Sequence, residues 1–180
     1  MAIKILTAAA ASCLLLASAV QAQTPPAPTS AKPQTATANL VNASGATIGQ
    51  AVVTEAPKGV LLRIEAKSLA PGWHGLHFHE VGDCSKSDFT TAGGHIHTDT
   101  TRVHGLLNAA NNENGDLPNL HVGADGLAAA EFYSDAVSLR GAPGRPPLAG
   151  KSIIIHASPD DQLTQPIGGA GARVACGVIK

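Results

Sequence analysis

The segment His74-Gly75-Leu76-His77-Phe78-His79 places three imidazoles within six residues. If the segment is extended, alternate side chains share a face, so His77 and His79 project together. Their Cα atoms then lie roughly 6.6 Å apart, at about 3.3 Å of rise per residue. Two imidazoles so placed can converge on one ion, as an all-nitrogen site for copper or zinc requires. Six of the eight histidines fall between Trp73 and Gly105, in a chain with only 3% aromatic residues. Further residues with metal-ligating side chains follow, in His95-Ile96-His97, His104-Gly105, Gly115-Asp116-Leu117-Pro118 and Ile154-Ile155-His156.

These side chains need strands and loops to hold them, and the chain outlines both. Met1 to Lys4 is a short basic start, Ile5 to Val20 is apolar, and Val20-Gln21-Ala22 offers a small-residue cleavage pattern. Residues 1–22 therefore read as a signal peptide for export to the periplasm, with an uncleaved membrane anchor as the rival. No membrane association is expected after its removal. Residues 23–38, rich in Pro, Thr, Ala and Gln, read as a flexible linker. The stretch 39–180 is long enough for one domain with a sizeable core. A formal net charge of −1 and the absence of a basic run argue against nucleic acid as a partner.

Within that domain, strand signals cover Ala38–Asn42, Thr47–Thr54, Gly59–Lys67, Trp73–Glu80, Leu127–Tyr133, Ser152–Ala157 and Ala172–Ile179. In Gly59–Lys67, Val60, Leu62, Ile64 and Ala66 alternate with Leu61, Arg63 and Glu65, the pattern of a half-buried strand. Long Gly-, Asn- and Asp-rich connections run over 82–126 and 158–171. Many short strands and two long loops imply an all-β antiparallel sandwich or barrel with functional loops. Cys84 and Cys176 are the cysteines left after signal removal, and in an exported chain they suggest one intramolecular disulfide. Closing a loop of about 90 residues stabilises by about 4–5 kcal/mol in the chain-entropy model.

Taken together, the His-Gly-Leu-His-x-His strand, Ala92-Gly-Gly-His95, Gly115-Asp-Leu-Pro118 and Gly171-Ala-Arg-x-Ala-Cys-Gly-Val-Ile179 resemble the copper–zinc superoxide dismutases, in their bacterial exported branch. The resemblance spans 45–180. It implies a flattened Greek-key β-barrel and dismutation of the superoxide anion to oxygen and hydrogen peroxide. It implies copper held by His77, His79, His95 and His156, and zinc held by His95, His104 and Asp116, with His95 bridging the two. By the same resemblance His74 braces backbone without ligating, and Asp160 links a copper ligand to a zinc ligand. Arg173 attracts the substrate anion, His95 delivers a proton, and Cys84 pairs with Cys176.

The sequence departs from that pattern at Glu113, where the family places a third zinc histidine. Glu113 could replace it, His97 could swing into the vacancy, or zinc could bind weakly or not at all. His121 matches no ligand position. The loop from Ser158 to Ile167 carries Asp160 and Asp161 but no lysine, which leaves Arg173 with few helpers in drawing an anion. The rival function is a copper-storage module on the same fold, and a purely structural adhesion domain is the third reading. Both a monomer and a homodimer stay open.

Overall fold

The protein is described by a computed structural model over residues 32–180, so the signal segment and most of the linker lie outside the described residues. The described residues form nine strands: β1 Thr35–Asn42, β2 Thr47–Ala56, β3 Gly59–Ala66, β4 Gly72–His74, β5 Leu76–His79, β6 Leu120–Val122, β7 Ala128–Ser134, β8 Ser152–His156 and β9 Arg173–Val178. Among the described residues the only helical element is a single 3-10 turn, Thr90–Ala92. The expected all-β fold is observed.

Seven strands form one antiparallel sheet in the order β5-β8-β9-β1-β2-β3-β7, and β4 pairs with β6 in a two-stranded ribbon. The last strand returns beside the first, giving the neighbour order β9-β1-β2-β3 of a Greek key. The alternation read in β3 is realised. Val60, Leu62, Ile64 and Ala66 are buried, while Arg63 and Glu65 face solvent. These side chains meet Leu40, Val53, Leu76, Phe78, Leu120, Ile153 and Ile155 in an aliphatic core with one buried Phe. Burying such side chains contributes roughly 1.5–3 kcal/mol each, before the conformational entropy that folding removes.

Three boundaries differ from the sequence expectation. First, β1 begins at Thr35 rather than at Ala38, because Thr35 to Ala38 pair with Thr54 to Ala51 of β2. The last four residues of the expected linker are thus a strand. Second, Trp73–Glu80 is two strands instead of one. The break falls at Gly75, whose N–H donates to Ser158 and whose carbonyl accepts from His156. A Cβ at Gly75 would sit 2.8 Å from the Ala170 methyl, so glycine is required where the chain passes from one sheet to the other. Third, β6 was not expected. It is three residues long inside a polar loop, and only its pairing with β4 defines it.

Candidate metal centre

Strand β5 is buried on both faces. Leu76 and Phe78 enter the core, and the alternation of the strand sends His77 and His79 the other way. Antiparallel pairing places His77 opposite Ile154 and His79 opposite Ser152, which brings His156 at the end of β8 to the same face.

The long loop reaches this face through backbone bonds. Ile96 donates to the Phe78 carbonyl, Phe78 to Gly115, Gly115 to Ile96 and Glu80 to Gly94, at 2.8–3.0 Å. Residue pairs His79 and His95, and His77 and Asp116, therefore lie across from one another. Gly115 is required for this approach, since a Cβ there would collide with the Phe78 carbonyl oxygen.

The rings of His77, His79, His95 and His156 are buried, and each offers a nitrogen within 4.8 Å of the others. Their orientation follows from the acceptors behind them. His77 Nε2 donates to Asp160 Oδ2 at 2.8 Å, His79 Nδ1 to the Gly93 carbonyl at 3.0 Å and His156 Nδ1 to the Gly171 carbonyl at 3.1 Å. Carbonyl and carboxylate oxygens only accept, so each contact fixes the proton on that nitrogen and leaves a lone pair on the other. Accordingly His77 Nδ1, His79 Nε2, His95 Nε2 and His156 Nε2 are buried without a partner. Four orphaned, convergent imidazole nitrogens fit a copper ion, and leaving such atoms buried unpaired would otherwise be costly. Burial holds His77 down to about 4 and His156 to about 3, and pushes His79 well below its ordinary value, so all three are neutral donors at pH 7.

The second cluster is built differently. His95 Nδ1 lies 2.8 Å from Glu113 Oε2 and 3.1 Å from Asp116 Oδ1, and His104 Nδ1 lies 3.1 and 3.0 Å from the same two oxygens. A tetrahedral ion with bonds near 2.0 Å separates its donors by roughly 3.3 Å, and the four ring–carboxylate contacts are close to that spacing. Burial alone would depress both rings, but the carboxylates outweigh it. His95 is raised, and His104 is raised to about 11. For Asp116 and Glu113 burial acts upward, and the facing imidazoles overcome it and hold both carboxylates below their usual range. The cluster therefore calls for positive charge, as a dication would supply.

Asp160 joins the halves, receiving His77 through Oδ2 and His104 Nε2 through Oδ1 at 3.1 Å. It is buried and itself held in place, accepting the Gln162 N–H, while its backbone is clasped by Asn119 at 2.8 Å in both directions. Both ring nitrogens of His74 face carbonyls, His156 at 2.6 Å and Ala70 at 2.8 Å, so it braces and has none to offer a metal. Arg173 donates to the Phe89 and Gly93 carbonyls, both at 2.6 Å, and lines a cavity of about 230 Å3 together with His95 and Glu113. Cys84 and Cys176 form the expected disulfide, with Cα atoms 5.8 Å apart.

His97 does not fill the vacancy. Its Nε2 accepts from Arg102 Nε at 3.1 Å, so its Nδ1 donates to the His95 carbonyl at 2.9 Å, and neither nitrogen is left over. His77 also falls within 4.8 Å of His95, His104 and Asp116, because it sits between the halves, but its Nε2 is engaged by Asp160. Glu113 Oε2, like Asp116 Oδ1, lies within 3.1 Å of both His95 Nδ1 and His104 Nδ1. His121 is exposed and packs edge-on against Trp73, with centroids 4.8 Å apart. Sequence reasoning missed the two amides that clamp the loops, Asn119 on Asp160 and Gln165, which brackets the His104 backbone with two 2.8 Å bonds. Nothing distinguishes them locally from other loop amides.

The fold and the site define an antiparallel β-protein with paired metal-binding clusters sharing one histidine. The family model for copper/zinc superoxide dismutase matches residues 47–179, and the chain belongs to that family. It is 61% identical over 148 residues to the copper–zinc superoxide dismutase of Caulobacter vibrioides, covering 81% of this chain and 85% of that one. It is 36% identical over 153 residues to the Escherichia coli K12 enzyme, covering 79% and 85%. The solved copper/zinc superoxide dismutase of Brucella abortus superposes with a TM-score of 0.66 at 30% identity, covering 82% of this chain and all of that one. Membership makes copper and zinc the cofactors and superoxide the substrate.

Proposed function

We propose that this is an exported superoxide dismutase. Copper would be held by His77, His79, His95 and His156, and zinc by His95, His104, Asp116 and Glu113. Two superoxide anions and two protons yield one oxygen and one hydrogen peroxide. When bound, copper would supply the one-electron oxidation and reduction, while zinc, fixed in oxidation state, would supply a permanent positive charge. The observation that carries the reading is the set of four buried, unpartnered ring nitrogens.

The chain's own residues do the rest. Asp160 orients His77 and His104 by holding their Nε2 protons, the usual service of a carboxylate behind metal-ligating histidines. His95 Nε2 is buried without a partner, so when no metal occupies it that atom can hold a proton and pass it to the product leaving as hydrogen peroxide. Arg173 supplies the charge that draws superoxide into the cavity. Storage of copper has no use for such a cation, so Arg173 supports the enzyme over the storage reading.

Export rests on residues 1–22, and the mass of the mature protein tests it by showing whether the chain begins near Gln23. The domain then runs to Lys180. The exposed Trp73, Leu106 and Leu107, which line one groove with Pro118 and Pro159, support a homodimer, and a sedimentation mass of one chain would remove it. For the function itself, metal-loaded protein is expected to carry one copper per chain and to consume superoxide rapidly. Copper binding without turnover would return the storage reading. Glu113→Ala is expected to lower zinc content with copper content retained, and unchanged zinc would remove Glu113 from the ligand set.

A further inference from the structure

The sequence left Arg173 as the one evident cation at the site, but the loop brings up another. The cavity of about 230 Å3 that the buried His95 lines also has Arg173 and Arg102 in its lining, with Gly94, Glu113 and Gln165. We propose that Arg102 is a second anion-recruiting side chain, acting with Arg173 to bring superoxide to the cavity beside His95. The proposal rests on the superoxide reading above.

Three features support it. Arg102 is positioned in advance, because its Nε donates to His97 Nε2 at 3.1 Å and His97 is anchored to the His95 carbonyl. The two guanidinium groups flank the same short ribbon. Arg173 donates to the Gly93 carbonyl, and Arg102 Nη1 lies against Gly94, where a methyl side chain would displace it. Among the described residues Arg102 has one carboxylate within ion-pair reach, that of Glu80. Its Nη2 is 3.7 Å from Glu80 Oε2, a carboxylate that also receives the Gly94 N–H at 3.0 Å, so its charge is only partly offset. The side chain is 48% exposed, at the position of a cavity mouth rather than a core brace.

The local charges give Arg102 a purpose. Glu113 places a carboxylate where the family resemblance places a histidine, which adds a negative charge at the cavity that repels an anion. The loop wall from Gln165 to Ile167 supplies no cation in return. A guanidinium at the rim restores attraction through solvent, where its weight falls with salt.

The test uses copper- and zinc-loaded protein as wild type, Arg102→Gln and Arg102→Lys. Two quantities are read, the azide dissociation constant by optical titration and the salt dependence of the superoxide rate constant. Arg102→Gln is expected to weaken azide binding and slow superoxide consumption at low salt roughly two- to threefold, the scale of one solvated charge. It should also flatten the salt dependence, with both metals retained. Arg102→Lys is expected to restore most of both. An unchanged azide constant and salt slope in Arg102→Gln would overturn the proposal. So would a lysine variant as impaired as the glutamine one, since that marks a brace on His97. Failure of wild type to consume superoxide would instead overturn the superoxide reading, while the azide comparison still decides on Arg102.

Discussion

The two halves of the metal centre share His95 and are both buried, yet they are electrostatic opposites. In the copper half, His79 and His156 face backbone carbonyls and His77 a single carboxylate, that of Asp160, so burial wins and all three imidazoles stay neutral. In the zinc half, two carboxylates face two rings at 2.8–3.1 Å, so charge wins over burial and His104 keeps a proton up to about 11. One half presents ready lone pairs; the other presents a negative socket whose protons a dication must displace. The same residue type thus serves two purposes, decided by how many carboxylates face the ring against the cost of burying its charge.

The largest expected effect comes from breaking the copper half alone. His156→Ala removes one of the four orphaned nitrogens and is expected to lower superoxide consumption by more than about 100-fold, beyond the range for residues that merely support a ligand. Metal analysis should show copper reduced and zinc retained. Loss of both metals together would mean the halves are not separable.

Asp160→Asn strikes the link between them. An amide cannot accept from both His77 and His104, so zinc affinity is expected to fall about 10- to 100-fold, measured by competition with a chelator. Copper affinity should fall less, because His79 and His156 remain oriented by carbonyls and His95 by Glu113 and Asp116. An equal fall in both would show that the link, rather than each cluster's own surroundings, sets the geometry.

Metal loading of the metal-free protein at pH 7 sharpens the contrast directly. Zinc entering the carboxylate-rich half is expected to release roughly one to two protons per chain, while copper entering the neutral quartet releases fewer. Calorimetry in buffers of different ionisation enthalpy reads the difference, and equal release would erase the distinction.

The smallest effect is on stability against pH in the metal-free protein. Folded His77 and His156 refuse protons down to about 4 and about 3, whereas the unfolded chain takes them up near 6.5. The unfolded state then binds more protons, so these rings cost stability as pH falls through 6.5 toward 4. His104 runs the other way. Its proton, held in the folded state to about 11, stabilises fully below 6.5, and that contribution is lost as pH rises toward 11. Thermal unfolding is therefore expected to peak near pH 6–7 and to drop by roughly 4 °C or more by pH 4.5, the shift of about 1–2 kcal/mol in a domain of this size. In Glu113→Ala the alkaline side should flatten.

The amino-acid sequence alone determined the strand pattern, the copper-type histidines and the family, because alternation and short motifs are local properties. The period-two burial of β3 and the shared face of His77 and His79 follow from strand geometry before any tertiary contact forms. The exchange of histidine for Glu113 was visible too, but its consequence was not. Whether Glu113 or His97 completes the second cluster depends on a backbone bridge between the loop and β5 and on an arginine five residues beyond His97. The split at Gly75, the strand β6 and the amide clamps of Asn119 and Gln165 are likewise decided by partners 41 to 83 residues away in the chain or across a second sheet. Only the tertiary structure sets how many carboxylates face each buried ring, none or one on His77, His79 and His156 against two or three on His95 and His104, and that number decides whether burial or charge prevails.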